Sequence, residues 1–393
     1  MEEWKEYKLG EVVIPVKDRI ETSCLDSTSY ISTENMLPDK AGITLSSGVP
    51  SGNAVFFKKD DVLISNIRPY FKKIWRANRD GGCSADVICL RASNVVDPLF
   101  LYYLLSQDLF FDYVMQGAKG TKMPRGDRNQ IMQWPVLIPF KNEQHNIASI
   151  LSTLDDKIEV NRLINDNLEQ QAMALFKSWF VDFEPFRDQP FVESELGRIP
   201  EGWNAGSLED ITTQKSERVG GREDMKVLSP VTTGQLMLSE EYFTKQVFSE
   251  SIAKYKVVEK GDFAYNPARV NIGSLGRNNY DFDGCVSPVY VVFSCKDGYA
   301  YLFDLYRKTE KFKTEVYLRA IGGVRQSLNY KDFAFIQCII PPLYIVEEFN
   351  AIYDHLLVMQ KHTGEENGRL ASLRDTLLPR LMSGELRVGD VTL

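Results

Sequence analysis

Residues 147–179 read IASILSTLDDKIEVNRLINDNLEQQAMALFKSW, and the spacing of their apolar side chains decides the fold. Ile147, Leu151, Leu154, Ile158, Asn161, Asn165, Leu168, Ala172, Leu175 and Trp179 alternate at intervals of four and three residues. Such an interval marks the seam of a helix built to lie against another helix. At 1.5 Å per residue the seam runs for about 50 Å. A second copy follows about 202 residues later: Phe349, Tyr353, Leu356, Gln360, Thr363, Asn367, Leu370, Leu377 and Leu381. Where the first seam has Ala172 the second has Arg374, which predicts a looser, solvated end there.

Both seams are polar at their middle. If the helices pair antiparallel about their centres, Asn161 faces Asn367 and Asn165 faces Thr363. A buried polar layer costs stability but penalises every other register. The alternative is that these residues lie on the exposed faces of two unrelated helices.

Working outward, each helix follows a globular stretch, and the two stretches match. Trp4-Lys5-Glu6-Tyr7-Lys8-Leu9-Gly10-Glu11-Val12 parallels Trp203-Asn204-Ala205-Gly206-Ser207-Leu208-Glu209-Asp210-Ile211. Lys59-Asp60-Asp61-Val62 parallels Lys260-Gly261-Asp262-Phe263, Arg68 falls opposite Arg269, and Gly82-Cys83 opposite Gly284-Cys285. Both stretches end in an apolar strand and a proline, Trp134 to Pro139 and Ile336 to Pro341. Runs such as Ala54-Val55-Phe56-Phe57 and Val289 to Phe293, mixed with short helical stretches such as Pro98 to Leu105, predict α/β or α+β domains with small, mostly antiparallel sheets. The expected fold is two pseudo-two-fold-related globular domains separated by two long antiparallel coiled-coil helices. The boundaries are 1–145 for the first domain, 146–182 for its helix, 183–202 for a linker, 203–345 for the second domain, 346–386 for its helix and 387–393 for a tail. Phe183-Glu184-Pro185-Phe186-Arg187-Asp188-Gln189-Pro190 cannot continue a helix and reads as that linker.

Composition narrows the function. The chain has 393 residues, 44% of them hydrophobic and 25% charged, which suits two folded domains rather than disorder. No apolar run approaches the roughly 18 to 20 residues of a membrane span, and MEEWKEYKLG lacks the pattern of a signal peptide, so the expected location is the cytoplasm. Six scattered cysteines without a CxxC pair, and three histidines, argue against a zinc site, a disulfide framework or histidine-based catalysis. The net charge of −8 lowers the expectation of nucleic-acid binding, although DNA meets a local face rather than a sum.

Locally, basic residues do cluster. Asn66 to Arg79 (NIRPYFKKIWRANR) carries Arg68, Lys72, Lys73, Arg76 and Arg79 without an acid and interleaves Tyr70, Phe71 and Trp75. A second run holds Lys119, Lys122, Arg125 and Arg128 in a glycine-containing loop. The second domain offers Arg269, Asn271, Arg277 and Arg325, the last within Gly322-Gly323-Val324-Arg325-Gln326. Such side chains pair phosphates or reach guanine edges, and glycine lets backbone amides approach a phosphate. The competing reading is a set of solvated hairpins and ordinary turns. Asn266-Pro267-Ala268-Arg269 faintly resembles the Asn-Pro-Pro-Tyr motif of amino-methyltransferases. It lacks the second proline and the aromatic residue, no glycine-rich cofactor loop accompanies it, and no phosphate loop of the GxxxxGK[ST] type exists in the chain.

Four stretches carry a family resemblance. Leu370-Ala371-Ser372-Leu373-Arg374-Asp375-Thr376-Leu377-Leu378-Pro379-Arg380-Leu381-Met382-Ser383-Gly384-Glu385-Leu386-Arg387-Val388 closely resembles the C-terminal conserved region of the specificity subunits of type I restriction–modification systems. Leu175 to Phe186 looks like the end of that family's central conserved region, Leu196 to Trp203 like the entry into its second recognition domain, and Pro139 through Asn142-Glu143-Gln144 to Ala148 like the exit from the first. Ile345-Val346-Glu347-Glu348 departs from the pattern, where a glutamine is usual. The resemblance implies a non-catalytic subunit that reads a split target on double-stranded DNA, one half per domain. It implies that the helices set the gap and dock two methyltransferase subunits, with restriction subunits joining in the full complex and no membrane involved. S-adenosylmethionine, ATP and Mg would belong to those partners, and no cofactor to this chain. Two other readings remain: a relative of a fused restriction–methylation enzyme, which requires cofactor motifs absent here, and a scaffold or inactive cassette that no longer binds DNA.

Overall fold

A computed structural model describes residues 4–222, 224–242, 251–296, 298–320 and 327–391. The fold is α+β, with two 40-residue helices, Lys141–Phe180 and Leu343–Met382. The chain divides into two compact units, Met1–Arg162 with Gly364–Leu393, and Leu163–Thr363. Each unit therefore holds one globular domain, half of one long helix and half of the other.

In the first unit one sheet has the strand order Val13–Pro15, Val87–Ala92, Val62–Ser65, Ile74–Arg76, antiparallel throughout. A second sheet runs Arg19–Glu21, Asn53–Phe57, Gly81–Cys83, Tyr30–Ile31, and its last pairing is parallel. The strand Lys5–Lys8 pairs with Pro135–Ile138 and closes the domain's two ends on each other. The second unit repeats the plan. Its first sheet runs Thr212–Lys215, Val291–Cys295, Phe263–Tyr265, Leu275–Arg277. Its second joins Lys256–Val258 and Lys226–Pro230 to Gly284–Val286, the latter pair parallel, and adds Leu236–Leu238 at an edge. Asn204–Ser207 pairs with Gln337–Ile340.

The matched positions of the repeat have physical reasons. A Cβ on Gly82 would meet Leu25 Cδ1 at 2.4 Å, and one on Gly284 would meet Leu228 Cδ1 at 2.5 Å, so both strands need glycine at the sheet centre. Asp61 and Asp262 are both buried. Asp61 accepts the Lys58 amide and both arms of Arg91; Asp262 accepts the Glu259 amide and the Lys215 ammonium. Asp60 and Gly261, one residue earlier, are both left-handed, at φ 73° and 89°.

The first unit's core joins Phe100, Phe110, Trp134 and Ile138 to Leu151 and Leu154 of the first helix and Leu377, Leu378 and Leu381 of the second. Within this unit the helices run antiparallel. Asn161 Nδ2 donates to Asn367 Oδ1 at 2.9 Å and to Glu366 Oε2 at 2.7 Å, while Asn367 Nδ2 reaches the Ile158 carbonyl. In the second unit Thr363 Oγ1 donates to Asn165 Oδ1 at 2.6 Å, and Phe349 and Tyr353 pack with Ala172, Phe176 and Phe180. Leu168 is buried, and Leu356 lies partly buried against the Phe349 cluster. Toward its C-terminus the first helix buries Phe176 and Phe180 and leaves Leu175 and Trp179 half-exposed, because a straight helix drifts from a strict seven-residue repeat.

Three sequence expectations change. Both helices start and stop earlier than the boundaries 146–182 and 346–386, running from Lys141 to Phe180 and from Leu343 to Met382. Residues 183–202, expected as the linker, are folded and packed. They contain the hairpin Phe191–Ser194 with Gly197–Pro200, and Phe183, Phe186 and Ile199 are buried with Trp203, Phe180 and Phe349. Arg374 is not a solvated end. Its Nη1 meets Asp155 Oδ1 at 2.7 Å, and Tyr103 Oη donates to Asp155 Oδ2 at 2.7 Å. Burial and the Asp155 charge together push the Tyr103 phenol up, which keeps it a donor. The residues one repeat away, Leu305, Leu357 and Ala172, are all apolar and sit in the second unit's aromatic cluster.

Asp155→Ala leaves the buried Tyr103 hydroxyl without its acceptor and the largely buried Arg374 cation with Asp375 alone. The expected loss in unfolding free energy is about 2–4 kcal/mol; urea denaturation checks it, with Asp155→Asn recovering part of the loss.

Candidate nucleic-acid interface

The basic run of the first domain folds as the hairpin Val62–Ser65 and Ile74–Arg76, joined by a 3-10 turn, Pro69–Phe71. Arg68 and Lys72 flank that turn, both left-handed at φ 50° and 49°. The hairpin splits the run. Arg68 and Lys72 stand at its turn, whereas Arg76 pairs with Val62 at the other end, and Arg79 lies beyond it.

The second basic run comes to the same turn. The Arg68 amide donates to the Pro124 carbonyl at 2.8 Å, and Ile67 and Lys119 both bridge to Arg125. A Cβ on Gly126 would approach Val114 Cγ1 at 2.8 Å and Asn66 Oδ1 at 3.0 Å, so a glycine is what lets the two loops touch. Two stretches about 50 residues apart thus form one basic edge, with Arg68, Lys119 and Arg125 close together. A third loop joins it, as the Asp39 and Lys40 amides donate to the Phe71 and Lys72 carbonyls.

Cations of both basic runs are paired with acids, on this edge and, for Arg76, at the hairpin's other end. Lys119 meets Asp127 at 2.9 Å, Arg125 meets Asp86 at 3.2 Å, and Arg76 meets Asp60 at 3.3 Å. Lys72 and Lys40 both meet Asp108, each at 3.0 Å. Burial would raise the Asp108 carboxyl, but the two lysine bonds outweigh it and hold the group below its ordinary value. Solvent-exposed pairs such as Lys119–Asp127 and Arg125–Asp86 contribute roughly 0–1 kcal/mol each. Other predicted contacts serve the fold. Lys73 donates to the Thr33 carbonyl, and burial together with the nearby Arg68 charge lowers its ammonium. Arg79 donates to the Thr28 carbonyl and lies over Trp75, and Arg128 donates to the Ala85 carbonyl beside its helix cap Asp127. Lys122 is exposed on the loop.

The second domain is less basic at the corresponding place. Arg269 is exposed just before the 3-10 turn Val270–Ile272. Asn271, within that turn, lines a cleft of about 990 Å³ together with Arg277, Arg307 and Lys308. Arg277 turns inward, however. It donates to the Gly261 carbonyl at 3.3 Å and lies over the rings of Phe263 and Tyr301. Arg325 and its glycine loop lie outside the described residues. Asn266 Oδ1 accepts the Ala268 amide, so Asn266-Pro267-Ala268-Arg269 is a turn built on an asparagine. Lys40 and Asp108 escaped the sequence reading because Lys40 sits in an ordinary Pro38–Gly42 turn and Asp108 looks like a routine acid in a helix's first turn.

These placements separate anchors from exposed cations. Arg277→Ala is expected to cost about 1–2 kcal/mol of stability through the lost ring contacts and hydrogen bond, whereas Arg269→Ala stays within about 0.5 kcal/mol of the parent; thermal and urea unfolding of the two variants checks the contrast.

The family model described as the type I restriction modification DNA specificity domain matches residues 1–170. The chain is 26% identical to the type I restriction enzyme HindI specificity subunit of Haemophilus influenzae, over 98% of this chain and 100% of that protein. It is 28% identical to the MjaIX specificity subunit of Methanocaldococcus jannaschii, over 74% of this chain and 70% of that one. Its fold is like that of the type I restriction–modification S subunit from M. genitalium, with a TM-score of 0.52 at 15% identity over 96% of each chain. With its own repeat and its motifs beside these relatives, the chain is similar, over nearly its whole length, to the specificity subunits of type I restriction–modification systems.

Proposed function

We propose that the chain reads a split target on double-stranded DNA, one half with each domain, and performs no chemistry itself. The observation that carries this reading is that both units repeat one architecture, down to the central glycine and the buried aspartate at matched positions. Two copies of one reader in a single chain suit a target with two halves, as symmetry in a protein mirrors symmetry in its site. In the first domain the edge carrying Arg68, Lys72, Lys119, Lys122 and Arg125 meets the backbone; in the second, Arg269 and Asn271 lie at the matching turn. Each long helix, about 60 Å at its full length, is stiff enough to set the gap between the halves.

The helices also dock two methyltransferase subunits, and restriction subunits join that complex. Exposed apolar side chains on the helices, among them Val160, Leu163, Val358 and Met359, suit such docking. S-adenosylmethionine, ATP and Mg are held by those partners, and the assembly works in the cytoplasm, where the DNA is. No helix of the described residues is long and apolar enough to cross a membrane, and among those residues no cluster could hold a metal ion.

Mixed with its methyltransferase partner, S-adenosylmethionine and a random duplex library, the chain should direct methylation to one sequence in two parts. Methyl transfer by the purified chain alone would overturn the non-catalytic reading. Because the helices pair antiparallel within each unit, a matched insertion of about seven residues in both, near Asn165 and near Thr363, keeps the seam in phase. The insertion should lengthen the gap between the methylated positions, and an unaltered gap would show that the helices are not the ruler.

A further inference from the structure

The two lysines on Asp108 stand out from the other ion pairs of the first domain. Lys40 and Lys72 come from different loops and converge on one carboxylate, each at 3.0 Å, and that carboxylate is more than half exposed. Two ammonium groups aimed at a single exposed oxyanion is also the arrangement that holds a phosphate. Both lysines have left-handed backbones, at φ 63° and 49°, a conformation that costs a side-chain-bearing residue roughly 1 kcal/mol or more. The second domain avoids that cost. Its equivalent turn, Val270–Ile272, ends in Gly273 at φ 94°, where the first domain's turn ends in Lys72. A glycine would thus serve the turn as well or better, and the fold gives no reason for lysine there. Residues held in such conformations gather where function requires them. At the other end of the same turn Arg68 is also left-handed, and its Nε is buried without a hydrogen-bond partner.

We infer that Lys40 and Lys72 form the seat of one DNA backbone phosphate, and that Asp108 occupies this seat until DNA arrives. This rests on the DNA-binding reading above and adds regulation to it: the carboxylate withholds two positive charges from duplex of any sequence. Entry of a phosphate moves the ammonium groups from the carboxylate to the phosphate oxygens, with no bond made or broken. The occupant is a phosphate of the duplex, not the free ion, because two partly covered lysines beside an open carboxylate lack the enclosing donors a free phosphate needs.

The test uses the full chain and a non-cognate duplex of about 25 base pairs, titrated across a salt series. Lys40→Ala with Lys72→Gly should weaken binding several-fold and reduce the log–log salt slope by about 0.9, the value for one phosphate. Lys72→Gly alone should keep or raise the melting temperature, so a loss of binding is not a loss of fold. Asp108→Asn should tighten binding about three- to five-fold, and that gain should vanish when both lysines are absent. Inorganic phosphate at matched ionic strength should not compete. The inference falls if Asp108→Asn leaves affinity unchanged, if its gain persists without the lysines, or if free phosphate competes. Should the parent chain bind no duplex at any salt, the DNA-binding reading falls with it, an outcome distinct from normal binding that ignores these three residues.

Discussion

The structure depends on one constraint: each unit packs side chains of both long helices into its apolar core. In the first unit the seam residues Leu151 and Leu154 and the distant Leu377, Leu378 and Leu381 are buried together beneath the first domain. In the second, Ala172, Phe176 and Phe180 meet Val346, Phe349 and Tyr353. The last leucines of the second helix are thus tied to the first domain. Burying each large apolar side chain contributes roughly 1.5–3 kcal/mol, so a shift of register along either helix would expose several at once. Antiparallel pairing follows from that requirement, and the polar pairs Asn161–Asn367 and Asn165–Thr363 then exclude the neighbouring registers.

The repeat is not a strict copy, and its departures have a common character. Tyr103, Asp155 and Arg374 form a hydrogen-bonded ion pair in the first unit, where the second has Leu305, Leu357 and Ala172. Gln144, buried, bridges the Val95 and Pro139 carbonyls and the Asp97 amide, where the second unit has the buried Val346. In that unit Tyr299 supplies the equivalent tie by donating to the Pro341 carbonyl. Polar and apolar solutions to one packing problem make the two units unlike, so each helix half is satisfied in only one of them. A polar residue moved into the apolar unit would lose its partners, a penalty larger than the gain from the pair itself.

What was legible in the sequence follows from the range of the forces. Helix seams show because their period is local, and the matched glycines and aspartates show because turn and sheet geometry is set by neighbours. Arg374 was misread as solvated because Asp155 and Tyr103 lie hundreds of positions away or on another element. The packing of residues 183–202 was not legible because proline and charge describe where a helix ends, not whether the following aromatic side chains are buried. At the candidate interface the cations were visible as a run. Their sorting was not, since Asp60, Asp86 and Asp108 come from three places outside the two basic runs.

That sorting resolves the conflict between an acidic chain and a nucleic-acid partner. With a net charge of −8, long-range attraction to DNA is weak. Each cation of the first domain's edge that pairs with a neighbouring aspartate adds almost nothing to the field at a distance. At contact the balance reverses. A surface ion pair is held by at most about 1 kcal/mol, whereas a phosphate brings full charge and releases condensed counterions from the duplex. On the proposed reading the acids filter rather than oppose: they suppress capture by arbitrary DNA at long range and give way where shape and base edges already fit. For a subunit whose task is discrimination, weak attraction to every sequence is the larger hazard, and an acidic chain with a paired basic edge meets it.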